Sequence, residues 1–308
     1  MVDSERKFSW VKLIIVAIPV WLLVSGGVGL WLHFRAADQK ERDNRLAYQK
    51  QINAVSVIDD FNKITDVIGA RHVESEQGRA GLTRMAAMIE GSLGPSNMGF
   101  QVIKHQGPLL DEVSFPLIEV AVMPKISTTS LWVVVPYDAP ATESRGSAAA
   151  SSLAVSFAVA QALVAKELPT NIHFLFVPHA FADEELRMSL IGKIKQIIDK
   201  KSGCSQVLVI GSQLHPGELF VSSRDASVPL MKKASDLIHD PGAEAICMQD
   251  DGELSVLLFE AGLPSSLLLT QSSEEMSAEL IDSIKPQAQM LGDHAAQVLD
   301  VILRLAEK

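Results

Sequence analysis

The fold of this chain is decided by residues 131–177, which read LWVVVPYDAPATESRGSAAASSLAVSFAVAQALVAKELPTNIHFLFV. Residues 131–135 and 171–177 are rich in β-branched and aromatic side chains, which predicts two buried strands. Residues 147–166 between them are mostly small and apolar, which predicts a long helix that packs closely against a sheet. A strand, a helix and a strand in this order predict two parallel strands joined by a crossover helix.

The same alternation continues on both sides of this unit. Further strands are predicted at 100–103, 118–123, 206–211, 219–221 and 266–269, and further helices at 81–92, 184–200, 228–239 and 284–306. Residues 256–260 fit either a strand or a helix. The pattern predicts an α/β domain over residues 69–308, with a mostly parallel mixed sheet and helices on both faces.

Composition and charge limit the class of protein. The chain has 308 residues, of which 47% are hydrophobic, enough for a large core. Its formal net charge is −10, and since residues 1–45 carry +2, the remainder carries −12. An acidic domain without a basic stripe argues against a nucleic-acid partner. Two cysteines, Cys204 and Cys247, are too few for a disulfide framework, and we interpret them as free thiols rather than one bridge.

The N-terminal region predicts a single membrane anchor. Residues 13–34 contain about 20 uncharged residues in a row, the length that crosses the hydrocarbon layer. A cleaved signal peptide is the alternative, but the apolar run is longer than usual for one and no clear cleavage site follows. Residues 1–12 form a short tail. We expect a single-pass membrane protein with the C-terminal domain outside, on the periplasmic face of the inner membrane in a bacterium.

Residues 35–68 connect this anchor to the domain. Apolar residues recur at spacings of three and four from Leu46 to Ile68, which predicts one helical face. We interpret this segment as a juxtamembrane stalk helix that runs into the domain.

Short segments from residue 68 onward carry a family resemblance. They are RHVESEQG at 71–78, MGFQV at 98–102, VVVPYD at 133–138, NIHFLF at 171–176 and EAGLPS at 260–265, together with the helix after Gly146 and the closing helix. Their order and spacing resemble those of the same segments in the di-zinc aminopeptidases. This family has the zinc-exopeptidase fold, and its relatives include glutamate carboxypeptidase and glutaminyl cyclase. The resemblance implies that fold and, in an active member, two zinc ions.

Most of the zinc ligands that the resemblance implies have no counterpart here. The histidine of the family's H-x-D motif falls on Pro136, and its aspartate falls on Asp138. The bridging aspartate falls near residues 145–147, which contain no acid, and the late acid falls in 207–211, which also contain none. The final histidine falls near 270–271, which read Thr-Gln. Pro136 has no donor atom, and zinc needs imidazole, carboxylate or thiolate ligands.

A few candidates for chemistry survive. The family's glutamate pair falls on residues 180–181 without a gap, and on Glu184-Glu185 with a short insertion. Glu184 and Glu185 are the candidates for catalysis, and Asp138, His179 and Asp183 are the candidates for metal binding. Each also has an ordinary explanation, because acids are favoured in the first turn of a helix and an Asp after a strand commonly caps a turn.

Three functions therefore stay open. We favour a non-catalytic, membrane-anchored domain that serves as a scaffold or binding module for a protein or peptide, with no cofactor. The second is an active zinc aminopeptidase with displaced ligands, for which the candidates are His173, His179, Asp183 and Glu184. The third is a different hydrolase with serine or cysteine chemistry. No phosphate-binding loop, H-E-x-x-H zinc motif or G-x-S-x-G nucleophile motif is present in the sequence.

Overall fold

The computed structural model describes residues 21, 26–29, 31, 35, 52–110, 113–122, 127–164, 166, 168–201, 203–215, 219–225, 227–231, 254–270 and 285–306. The chain divides into two compact units, residues 1–49 and residues 50–308. Among the described residues, none of the helices has both the length and the apolar character needed to span a bilayer. The anchor predicted at 13–34 lies mostly outside the described residues and stays a prediction.

The second unit is built on a seven-stranded sheet. Its strands are β1 (Gln101–His105), β4 (Leu117–Val122), β5 (Ser130–Pro136), β6 (Asn171–Val177), β7 (Cys204–Ile210), β8 (Leu219–Ser222) and β9 (Ser265–Thr270). The strands β2 (Leu109–Leu110) and β3 (Val113–Ser114) form a separate hairpin. The order across the sheet is β1-β4-β6-β5-β7-β9-β8. The four neighbours β6, β5, β7 and β9 run parallel, whereas β4 and β8 run antiparallel to the strands beside them.

Helices cover both faces of this sheet. They are α1 (Ala54–Asn62), continued by a π-helical segment (Lys63–Ile68), α2 (Glu76–Leu93), α3 (Ser147–Ala162), α4 (Glu184–Lys200), α5 (Leu254–Glu260) and α6 (Ala288–Ala306). One core lies under α1, α2, α3 and α6, and a second core lies under α4 and α5. Alternate residues of β5 enter the two cores, since Val133 lies in the first and Val134 in the second.

The predicted α/β architecture with a mostly parallel mixed sheet is confirmed, and the crossover unit at 131–177 is present as β5, α3 and β6. Residues 256–260, which fitted either class, belong to a helix. The hairpin of β2 and β3 was not predicted, because each strand has only two residues and leaves no periodic signal. The helix predicted at 228–239 lies mainly outside the described residues.

The C-terminal half of the predicted stalk packs into the domain. Val57, Phe61 and Ile64 are buried in the first core, beside α3 and α6. The α-helical hydrogen-bond pattern of α1 widens into a π-helix at residues 63–68, and Gly69 ends it at a φ of 70°. A π-helical turn places side chains differently from an α-helix and is frequent at functional sites.

Candidate functional site

The carboxyl ends of the four parallel strands form the edge where open α/β sheets bind their ligands. We call this the carboxyl edge. It consists of the last residues of β5, β6, β7 and β9, which are Pro136, Val177, Ile210 and Thr270, and of the residues that follow them. These are the positions at which the family resemblance places the zinc ligands.

Asp138 follows β5 at this edge and is fully enclosed. It is 3% exposed, and its Oδ2 accepts a hydrogen bond of 2.9 Å from the backbone N–H of Phe181. Among the described residues its Oδ1 has no hydrogen-bond donor. Burial raises the pKa of Asp138 to about 7, although hydrogen bonds from the backbone and the charge of Arg71 oppose the shift. The carboxyl group is therefore largely protonated in the lower part of the neutral range.

This raised pKa predicts that Asp138→Asn stabilises the protein at alkaline pH. Between pH 4 and pH 7 the folded state holds a proton that the unfolded state has lost, so stability falls as pH rises through this range. An asparagine keeps an oxygen for the Phe181 N–H and cannot ionise. We expect its free energy of unfolding at pH 8 to exceed that of the parent by up to about 4 kcal/mol, with no difference below about pH 4.

Urea unfolding from pH 4 to pH 8 measures this effect. Asp183→Asn is the matched control, because Asp183 is an exposed helix cap and asparagine caps a helix equally well. If the free energies of unfolding of Asp138→Asn and the parent changed equally with pH, the pKa of Asp138 would not be raised in the folded protein.

His179 follows β6 and has an unusual conformation. Its φ is 63°, in the left-handed region, and it is 1% exposed. Neither ring nitrogen has a hydrogen-bond partner among the described residues, and the ring packs edge-on against Phe115 at a centroid distance of 5.8 Å. Burial lowers the pKa of His179 to about 4, against the opposing charge of Asp183. His179 is thus a neutral imidazole whose nitrogens receive no support from the described residues.

The three acids at 183–185 lie in the first turn of α4 or immediately before it. Asp183 is the N-cap of this helix, and its Oδ1 accepts a hydrogen bond of 2.9 Å from the N–H of Leu186. Glu184 and Glu185 are exposed residues of the first turn. Their placement matches the ordinary preference for acids at a helix N-terminus, where they interact favourably with the helix dipole.

Uncharged groups occupy the ends of β7 and β9. The backbone N–H of Thr270 donates to Ser212 O at 2.9 Å, and the hydroxyl of Thr270 accepts from the N–H of His215 at 3.2 Å. The buried side chain of Gln213 donates from Nε2 to the carbonyls of Gly211 and Leu268, each at 3.2 Å. Thr270 stands where the resemblance implies the final histidine, and Gln213 lies two residues beyond the segment in which it implies the late acid. Gln213 Oε1 has no hydrogen-bond partner among the described residues.

The loop between β5 and α3 is held by a buried arginine. Arg71 is 0% exposed and donates to five backbone carbonyls. The acceptors are Gly69 O at 2.8 Å, Gly146 O at 2.9 Å, Tyr137 O at 3.1 Å, Arg145 O at 3.3 Å and Ile64 O at 3.4 Å. Gly146, the N-cap of α3, has a φ of 59° and leaves no room for a Cβ beside Ala139 and the Arg71 guanidinium. The guanidinium and a glycine thus fill the region where the bridging acid is implied.

Among the described residues, no group of three or more His, Cys, Asp or Glu side chains is placed to hold a metal ion. His173, a ligand candidate of the active-enzyme hypothesis, is bound elsewhere, since its Nδ1 lies 2.9 Å from Glu119 Oε1. The structure therefore does not bring His173, His179, Asp183 and Glu184 together as one site.

Glu119 forms a separate charged cluster in the middle of β4. Its carboxylate is 0% exposed and contacts His105 Nε2 and His173 Nδ1, each at 2.9 Å, and the ammonium of Lys201. The His173 ring stacks on Trp132 at a centroid distance of 4.5 Å. Burial by itself raises the pKa of Glu119, but the hydrogen bonds from His173, Lys201 and His105 together lower it to about 2.

The sequence analysis did not identify this cluster, although a signal was present. Glu119 is the one charged residue in Leu117–Val122, a strand whose six residues are all buried. A carboxylate in such a strand needs bound partners, because an unpaired buried charge is strongly unfavourable. The sequence therefore predicts cationic or imidazole side chains on the strands beside Glu119.

One Ser–His contact among the described residues bears on the serine-hydrolase hypothesis. Ser75 Oγ lies 3.4 Å from His72 Nε2. The same hydroxyl accepts a hydrogen bond of 3.0 Å from the N–H of Gly78, and Ser75 is the N-cap of α2. The contact is therefore explained by helix capping.

Comparisons with known proteins agree with the fold. No protein-family model matches the sequence, and no curated protein matches it. The solved structures that match include a LapA aminopeptidase of Legionella pneumophila, with a TM-score of 0.61 and 11% identity over 86% of this chain and 74% of that chain. Porphyromonas gingivalis glutaminyl cyclase matches with a TM-score of 0.61 and 14% identity over 83% and 98% of the two chains.

A zinc aminopeptidase of Bacillus subtilis matches with a TM-score of 0.62 and 10% identity over 83% of this chain and 96% of that chain. At these identities the matches show a shared fold. The domain therefore has the fold of zinc aminopeptidases and related exopeptidases, as the family resemblance predicts.

Proposed function

We propose that this chain is a membrane-anchored, non-catalytic aminopeptidase-like domain that binds a protein or peptide partner. The observation that carries the proposal is the chemistry of the carboxyl edge. Its described positions hold a proline, a buried carboxyl group with a raised pKa, a threonine hydroxyl bonded to the backbone, and a glutamine amide whose nitrogen donates to backbone carbonyls. A water-activating zinc pair needs ionised carboxylates and neutral imidazoles that converge on the metals.

Exposed apolar and acidic side chains near this edge favour a particular kind of partner. Phe181 and Met188 are 46% and 50% exposed beside the acidic first turn of α4. Leu109 and Val113, on the β2–β3 hairpin, are 61% and 47% exposed. Exposed apolar groups beside carboxylates favour a partner segment with both apolar and basic side chains.

An active aminopeptidase with divergent ligands is the alternative, and one observation favours it. His179 is a buried imidazole in a strained conformation, and it has no hydrogen-bond partner among the described residues. The negative charge of Asp183 interacts with it and acts to raise its pKa, against the larger effect of burial. A residue held in this way often has a functional reason. In that case His179 and Asp183 would contribute to a zinc site, with Glu184 or Glu185 as the base.

Hydrolysis assays distinguish the two functions. We expect the full chain in detergent, reloaded with zinc, to hydrolyse leucyl, alanyl and glutamyl p-nitroanilides no faster than buffer does. The Bacillus subtilis zinc aminopeptidase is the positive control. The double variant Glu184→Gln/Glu185→Gln separates activity of this chain from contaminating peptidases, since only the former depends on these residues. Chelator-sensitive cleavage that the double variant abolishes would establish the alternative.

The anchor at residues 13–34 is the second part of the proposal. It is supported by the uncharged run in the sequence, which is about the length of a transmembrane helix. We expect the chain to remain with membranes after alkaline carbonate extraction, and the domain to be digested by protease added to bacterial spheroplasts. Release into the carbonate supernatant would remove the membrane part of the proposal.

A further inference from the structure

A cavity of about 560 Å³ lies beside the π-helical segment, away from the candidate residues of the carboxyl edge. Its walls come from the end of α1, the π-helical segment, the loop before α3 and the residues just before α6. The lining residues are Ile58, Phe61, Asn62, Asp66, Arg145, Lys285 and Pro286. A cavity of this volume lies in the range that holds small-molecule ligands.

The charged groups of the cavity favour an anion with a single charge. Arg145 and Lys285 supply two positive charges, and Asp66 supplies one negative charge. Arg145 Nη2 lies 2.6 Å from Asp66 Oδ1, and Arg145 and Lys285 both act to lower the pKa of Asp66. The described lining residues therefore carry a net charge of +1, although the domain as a whole is acidic. A dianion would be repelled by Asp66, whereas a carboxylate matches the net charge and the planar guanidinium.

Apolar groups line the rest of the cavity. Ile58 and Pro286 are half-buried and present hydrocarbon surface next to the cationic groups, whereas Phe61 is 1% exposed and belongs to the first core. A ligand that combined a carboxylate with a short aliphatic or aromatic group would bury the latter against Ile58 and Pro286. Arg145 and Asp66 have side chains that are 28% and 56% exposed, so the charged end of the cavity is open to solvent.

Two walls of the cavity, the π-helical segment and the loop before α3, are held in place by hydrogen bonds within the protein. Arg71 donates to Ile64 O in the π-helical segment and to Arg145 O in the loop before α3, which ties two walls together. Thr65 Oγ1 donates to Phe61 O at 3.1 Å and lies 3.2 Å from Asp66 Oδ1. A site whose walls are fixed in this way loses little conformational entropy on binding.

We propose that this cavity binds a small carboxylate that carries an apolar group, with Arg145 and Lys285 contacting the carboxylate and Ile58 and Pro286 contacting the apolar group. Two sources share this chemistry: a free N-acyl amino acid or similar acid, and the C-terminal residue of a peptide. The inference does not depend on whether the carboxyl edge is catalytic, because the cavity contains none of the candidate residues of that edge.

Calorimetric titration of the full chain in detergent tests this binding. The probes are N-acetyl-leucine and N-acetyl-leucinamide, which differ only in the charged group. We expect the acid to bind with a Kd on the order of 1 mM, as suits a ligand of its size, and the amide to bind at least about tenfold more weakly. Acetyl-Gly-Gly-Leu tests the second source, and tighter binding than N-acetyl-leucine would identify a peptide C-terminus.

Variants assign the binding to the cavity. Lys285→Glu reverses one cationic charge at an exposed position, and we expect it to weaken binding of the acid at least about tenfold. Lys195→Glu makes the same change on the exposed face of α4, where Lys195 pairs with Asp199, and should leave the affinity unchanged. No binding of the acid, equal binding of acid and amide, or equal effects of the two variants would each overturn the inference.

Discussion

Replacing Arg71 with leucine should lower the free energy of unfolding by about 3–5 kcal/mol, the largest loss expected from any single substitution considered for this protein. The guanidinium is fully buried and donates to five carbonyls from three parts of the chain. Leucine fills part of the volume but donates no hydrogen bond, so all five carbonyls lose this donor. Ile64 O keeps the N–H of Gly69 and Gly146 O keeps the N–H of Ala150, whereas no other backbone donor reaches the carbonyls of Gly69, Tyr137 and Arg145 among the described residues. Arg71→Lys keeps the charge but cannot reproduce the planar set of donors, and we expect an intermediate loss.

Urea unfolding of the parent, Arg71→Leu and Arg71→Lys at pH 7 measures these losses. Arg84→Leu is the matched control, because Arg84 is exposed and donates to a single carbonyl, Ile68 O, at 3.1 Å. We expect it to cost no more than about 1 kcal/mol. If Arg71→Leu cost as little as Arg84→Leu, the buried arginine would not be what holds the loop before α3.

Glu119→Gln should lower the free energy of unfolding by about 3 kcal/mol at pH 7. The folded pKa of Glu119 is about 2, below its usual value of 4.5, so the carboxylate stabilises the fold wherever the unfolded chain is also ionised. This contribution is complete above about pH 4.5 and is lost as the pH falls toward 2. Glutamine lacks the charge that binds His105, His173 and Lys201.

Unfolding curves from pH 2.5 to pH 8 test both the size and the sign of this effect. The difference between the parent and Glu119→Gln should shrink as the solution becomes more acidic than pH 4.5. Glu90→Gln is the control, since Glu90 pairs with Lys104 at the surface and should contribute no more than about 1 kcal/mol. A difference that grew toward acidic pH would mean that Glu119 is protonated in the fold.

The sheet could be predicted from the sequence because its signals are local. The runs at 131–135, 171–177 and 206–211 are apolar and β-branched, and the structure contains β5, β6 and β7 at these positions. The boundaries of α4, residues 184–200, were predicted from an amphipathic pattern that begins with three acids. β4 pairs antiparallel with β6, and β8 pairs antiparallel with β9. These pairings depend on packing between different parts of the chain, so no short segment indicates them.

The candidate site was less predictable, since its features depend on three-dimensional neighbours. The sequence places Asp138 after a strand, but burial under Phe181 is what raises the pKa of its carboxyl group. His179 was identified as a histidine just after a strand, whereas its left-handed backbone and its lack of partners among the described residues appear only in the structure. The cavity at Arg145 and Lys285 joins residues 140 positions apart, which no motif search connects.

The central claim is that this chain has kept the aminopeptidase fold without the zinc chemistry. Its most direct test is the zinc content of the purified full chain, measured by elemental analysis after reloading with zinc and exhaustive dialysis. We predict substoichiometric zinc that does not change in the variant His179→Ala/Asp183→Asn. About two zinc ions per chain, lost in that variant, would contradict the account, because metal ions are retained only where deprotonated ligands converge.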